Sequence, residues 1–187
     1  RVDRRQRQMC IRDRFYRSDA DLPDFHDYSM KNRTYRYFEG EPLYPFGYGL
    51  SYAEFAYGGP ELSAREIPAG GSVEIRSTVR NTGSREADEI VQLYLQDVKA
   101  SVPVPKRQLA GFRRVRLKPG ESTEVCFSVT ARQMALIDEE GRCFLEPGRF
   151  RVFVGGSQPD ARSEELTGKR VPYAEFLVTG EKLPMER

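Results

Sequence analysis

The chain has 187 residues, 39% apolar and 31% charged, enough for one packed domain or one domain and a fragment. It lacks the run of about eighteen apolar residues that a membrane-crossing helix needs, and no apolar stretch near its start resembles a secretory signal. The net charge of +2 is uneven: RVDRRQRQMCIRDR, residues 1–14, has six arginines and two aspartates, so residues 15–187 carry −2 and no basic surface points to nucleic acid.

Residues 1–14 show neither helical nor strand periodicity. Written back into codons, MCIRDR resembles a transposon end used to prepare sequencing libraries. We therefore read 1–14 as a non-native segment; the other reading is a basic arm for RNA or anionic lipid. The three cysteines, Cys10, Cys126 and Cys143, are odd in number and widely spaced. That argues against a disulfide framework and leans toward a cytoplasmic location, with secreted or periplasmic alternatives left open.

Residues 15–52 form an irregular extension with Asp-rich turns around Pro23. DLPDF is expected to make one helical turn, with Asp21 as its cap. The extension ends in YRYFEGEPLYPFGYGLSY, residues 35–52, where seven of eighteen positions are aromatic, three are glycine and two are proline. That is too much Gly and Pro for a helix or a central strand, and too much apolar ring for a linker.

From residue 53 short alternating runs and turn signals take over, the all-β pattern. SVEIRSTVRN puts Val73, Ile75, Ser77 and Val79 on one face. EADEIVQLYLQD puts Val91, Leu93 and Leu95 on one face and Ile90, Gln92 and Tyr94 on the other, which is half apolar and is expected to be covered as well. Next come Leu109, Phe112, Val115 and Leu117, with Gly111 breaking the alternation as a bulge does. Lys118-Pro119-Gly120 is a turn signal. Val125, Phe127 and Val129 share a face that excludes Cys126. A hairpin turn is expected at Glu140-Gly141, and a second turn at Glu146-Pro147-Gly148 leads to Phe150, Val152 and Val154. The last strand starts at Tyr173. The expected fold is an immunoglobulin-like or fibronectin type III-like β-sandwich of about seven strands over residues 53–180, followed by a tail, 181–187.

Three stretches in order, RTYRYF, PLYPFGYGLSY and QLAGFRRVRLKPGE, resemble the C-terminal part of glycoside hydrolase family 3 enzymes. There a fibronectin type III-like domain follows the tail of an α/β sandwich domain, itself preceded by a barrel. The similarity runs from residue 15 to about 157. It implies that the chain is the C-terminal end of a β-glucosidase-like exo-acting enzyme. Such enzymes act on β-linked oligosaccharides and glycosides by double displacement through a covalent glycosyl intermediate. Their nucleophilic aspartate and acid/base glutamate belong to the upstream domains and match no position here. The chain alone is thus expected to be inert, with the missing catalytic domains as its partner and no nucleic acid or membrane.

The residues themselves offer no other chemistry. A retaining glycosidase needs two carboxyl groups about 5–5.5 Å apart, and twenty-eight acidic residues supply many pairs without discriminating among them. His26 is the single histidine and sits in a turn-rich stretch as a loop residue. Cys126 and Cys143 lack the close spacing of a zinc site, and no phosphate loop or cofactor motif is present. Pro103-Val104-Pro105-Lys106 reads as a protected sheet edge. The aromatic strip has two readings. As a seam against a neighbouring domain, it uses Tyr37, Phe38, Leu43, Tyr44, Phe46, Tyr48, Leu50 and Tyr52. As the rim of a sugar cleft, it uses Arg33, Tyr35 and Arg36, with tyrosine faces stacking on sugar C–H groups. The seam is preferred, because so apolar a stretch left in water invites aggregation. An autonomous carbohydrate- or protein-binding module remains the alternative function.

Overall fold

The computed structural model describes residues 16–185, so expectations for residues 1–14 fall outside the described part. Twelve strands are found there: β1 (Phe55–Tyr57), β2 (Glu61–Leu62), β3 (Glu66–Pro68), β4 (Ser72–Asn81), β5 (Ala87–Asp97), β6 (Gln108–Leu117), β7 (Ser122–Thr130), β8 (Leu136–Ile137), β9 (Cys143–Leu145), β10 (Gly148–Gly155), β11 (Tyr173–Thr179) and β12 (Leu183–Pro184). Six of them have seven or more residues and carry the sandwich; the other six have two or three.

One sheet is centred on β4, which pairs with β7 along one edge and with β1 and β2 along the other. The second runs β3-β11-β10-β5-β6, with only the β3–β11 pair parallel. Period-2 alternation builds the space between them. Val73, Ile75, Val79, Val91, Leu93, Val129, Val152 and Val154 are all fully buried there, and Phe150 stacks on Phe176 with ring centres 5.6 Å apart. Burying each such side chain is worth about 1.5–3 kcal/mol.

The turns act where their glycines must. Gly120 and Gly141 have φ of 76° and 78°, values that favour glycine. Asn81 is a buried corner post. Its amide nitrogen donates to the carbonyls of Arg85 (2.8 Å) and Leu117 (2.9 Å), and its side-chain oxygen accepts from the Gly83 N–H (2.9 Å). It joins the end of β4 to the loop before β5 and to the end of β6.

The break in alternation expected at Gly111 occurs one residue earlier. The β5–β6 register shifts between Leu93 (opposite Gly111) and Tyr94 (opposite Leu109), so Ala110 is the extra residue. Leu109 and Phe112 consequently share the outer face, where Leu109 packs with Tyr94 and Phe112 is 66% exposed, while Val115 and Leu117 join the main core. Glycine at 111 has a second reason, since a Cβ there would come within 3.2 Å of the Phe127 ring.

The helical turn expected in DLPDF lies one step earlier, as a 3-10 turn at Asp19–Asp21 capped by Ser18, because Leu22 is already extended before Pro23. A two-turn helix, Ala161–Thr167, is additional to the expected elements. Asp160 caps it by accepting from the Ser163 N–H at 2.7 Å, and Gly168 closes it in the left-handed region. The segment after residue 180 also joins the structure: β12 pairs with β9, and the Met185 N–H donates to the Cys143 carbonyl at 2.9 Å.

Candidate docking site

The irregular extension lies across the outer face of the β10–β5–β6 part of the sheet. Its backbone carbonyls are the attachment points. The Lys106 N–H donates to the Arg36 carbonyl (2.8 Å), and Lys106 Nζ to the Phe38 carbonyl (3.2 Å). Arg162 Nε, on the Ala161–Thr167 helix, donates to the Leu43 carbonyl at 3.3 Å, and the Gln158 N–H to the Phe46 carbonyl at 2.9 Å. Lys106 and Arg162 thus serve as structural donors, and Arg107 lies over the Phe153 ring at 5.4 Å.

The central fastening is Gln92. Its Nε2 donates to the carbonyls of Gly47 (3.2 Å) and Gly156 (2.7 Å), while its Oε1 accepts from the Tyr94 hydroxyl (2.6 Å). Gly47 has φ of 76°, and a Cβ there would lie 2.1 Å from Gln92 Oε1. Only glycine admits this approach. Burial, reinforced by Tyr35 and Asp160 nearby, keeps the Tyr94 hydroxyl protonated well above the ordinary phenol range. It therefore stays a donor to Gln92.

Of the rim candidates, Arg33 is spent within the extension: its guanidinium donates to the carbonyls of Asp24, Asp27 and Ser29. Tyr35 turns inward from the one-turn helix Thr34–Tyr37, stacks on Phe46 with ring centres 4.0 Å apart, and packs with Tyr94, Phe153, Val171 and Leu109. Its hydroxyl accepts the Leu109 N–H at 3.2 Å. Arg36 is the exposed member of the trio.

The docking candidates divide in two. Tyr37, Phe38, Leu43 and Tyr48 are half-buried. Tyr37 lines a cavity of about 190 Å³ with Val104, Pro105, Gln108, Met134 and Ile137. Phe38 meets Tyr16 edge-on at 5.1 Å and borders a polar cavity of about 370 Å³ with Arg17, Asn32, Glu39 and Glu41. Tyr44 stacks with Tyr48 at 5.8 Å, and Tyr44 and Phe46 are exposed at the margin. Leu50 and Tyr52 stand 92% and 95% exposed.

Gln92, Gln158 and Arg162, which secure the extension, were not among the sequence candidates. A glutamine inside an apolar strand, and the Asp160…Gly168 cap pair, were the available signals. His26 lies in an exposed turn beside Phe25. Among the described residues no three His, Cys, Asp or Glu side chains are grouped as metal ligands, and no helix is long and apolar enough to cross a membrane. Glu89 and Tyr57 form a half-buried polar pair at one end of the core, the phenol donating to the carboxyl. Burial pushes the Glu89 carboxyl up despite that bond.

Residues 89–158 match the fibronectin type III-like domain family. The chain is 38% identical over 153 residues to a periplasmic beta-glucosidase of Salmonella typhimurium, covering 75% of this chain and 20% of that protein. It is 39% identical over 137 residues to a beta-xylosidase of Formosa agariphila, covering 72% and 19%. Among solved structures, a β-glucosidase from Erythrobacter marinus superposes with a TM-score of 0.68 at 30% identity, covering 86% of this chain and 20% of that one. The Listeria innocua beta-glucosidase in complex with glucose gives 0.65 at 34% identity, covering 81% and 20%. The chain thus spans about a fifth of the length of each of these relatives.

Proposed function

Because this chain belongs to glycoside hydrolase family 3 as its fibronectin type III-like part, we propose that it braces the catalytic domains of an exo-acting β-glycosidase. The whole enzyme removes β-linked glucose or xylose from glycosides and oligosaccharides by a double displacement, with both carboxyl groups supplied upstream of residue 15. The observation that carries this reading is the divided strip. Residues 36–47 are fastened to the sandwich through their carbonyls, while Leu50 and Tyr52 offer side chains to water that a stable surface does not leave bare. An upstream domain seated on them gives those side chains a partner. Arg36, the exposed member of the rim candidates, is the one assigned to a cleft rim on this reading.

The test compares the full-length polypeptide with this chain on aryl β-glucosides and β-xylosides. The full polypeptide hydrolyses them and this chain does not; turnover by this chain alone would overturn the reading. The free thiols of Cys126 and Cys143 support a reducing, cytoplasmic location, checked by fractionating cells that express the full polypeptide.

A second reading has one observation in its favour. The extension is bonded to the sandwich by the sandwich's own groups, as in a self-contained module. Tight retention of this chain on insoluble β-glucan, with no requirement for the upstream domains, would favour a binding module over a brace.

A further inference from the structure

The sheet that carries Gln92 has an apolar spot beside the extension. Ile90 and Phe112 lie on its outer face, 41% and 66% exposed. Phe112 stands opposite Gln92 in the ladder, and Ile90 is two residues from Gln92 along β5, so both flank the side chain that holds Gly47. After Gly47 the chain travels to Glu54, whose carbonyl accepts from the N–H groups of Thr82 (2.8 Å) and Gly83 (3.3 Å), in the loop that feeds β5. Leu50 and Tyr52 therefore belong to the span that runs from Gln92 to the loop feeding β5, the direction in which Ile90 lies along that strand.

The surroundings favour an apolar occupant. Arg114 is paired with Asp88, and Arg116 with Glu86 at 3.1 Å, so the two arginines that follow Phe112 on its own face are already paired. A sheet face intended for water carries residues like these arginines, and a phenylalanine among them is out of place. We propose that Ile90 and Phe112 extend the docking surface of Leu50 and Tyr52 onto the sandwich itself, and that their occupant is the preceding part of the same polypeptide. The argument for that occupant is continuity with the exposed strip, together with relatives about five times the length of this chain. The inference rests on the bracing reading above.

Hydroxyl-radical footprinting read by mass spectrometry tests it without altering a residue. Oxidation of Ile90, Phe112, Leu50 and Tyr52 is compared between the full-length polypeptide and this chain. All four side chains are expected to react roughly tenfold more slowly in the full polypeptide, as at the dry centre of an interface. If Ile90 and Phe112 react equally in both while Leu50 and Tyr52 are protected, the inference falls and the bracing reading stands. If none of the four is protected, both fall. Protection of Phe112 that disappears when the full polypeptide is diluted would assign the spot to a second copy and overturn the inference.

Discussion

Residues 42–48 and residues 50–52 both present leucine and tyrosine side chains, yet the structure treats them oppositely. In the first group Pro42 and Pro45 are buried, Leu43 and Tyr48 half-buried, and the carbonyls of Leu43, Phe46 and Gly47 all have donors from the sandwich. In the second, Leu50 and Tyr52 have almost their full surface in water. The difference teaches that ring content does not decide what sticks. The first group finds Gln92, Gln158 and Arg162 waiting with donors, and the second has no such partners among the described residues.

The contrast is broken most severely at Gly47. Gly47→Val places a branched side chain at positive φ and into the Gln92 amide, and is expected to cost about 3 kcal/mol. The urea midpoint should fall, and proteolysis should open first within residues 42–52. Gln92→Ala strands the carbonyls of Gly47 and Gly156 and the Tyr94 hydroxyl. It should cost about 2 kcal/mol by the same measurement, and a wild-type midpoint would mean that the fastening is ornamental. The reverse arm of the comparison is Leu50→Ser with Tyr52→Ser. In this chain the pair should change stability by no more than about 0.5 kcal/mol, while in the full polypeptide it should loosen the domains. A large loss in this chain would show that residues 50–52 are held after all.

A smaller effect separates the fastening from the core proper. Glu89 has its carboxyl raised by burial above the ordinary 4.5. The folded state thus holds a proton that the unfolded state releases, and stability should fall as pH rises from 4.5 through the folded value. Glu89→Gln should flatten that slope in urea titrations between pH 4 and 7 and leave the 42–52 proteolysis pattern untouched. A slope unchanged by the substitution would assign it to another group.

Much of the sandwich was legible because its physics is local. β4 and β7 show strict alternation, and Val73, Ile75, Val79 and Val129 are buried as that alternation requires. The turns at Gly120 and Gly141 announce themselves by residue type. Leu109 changes face for a definite reason: the bulge at Ala110 resets the parity of β6, so Leu109 joins Phe112 on the outer side while Val115 and Leu117 face the core. The Ala161–Thr167 helix is too short for a period to register, so only its caps marked it. The division of the aromatic strip was not legible at all. It depends on Gln92, Gln158 and Arg162, which lie far along the chain and whose role appears only once β5 and β10 are side by side.

The position of Gln92 has a mechanical consequence. It sits on β5, which is laddered on both sides, to β10 and to β6. A tug that reaches Gln92 through Gly47 is therefore borne by two rows of backbone bonds, while Lys106, which holds Arg36 and Phe38 just before β6, is loaded first from the polypeptide ahead of Pro42. On the bracing reading, motion of an upstream domain would enter the sandwich at these two anchors, Lys106 and Gln92.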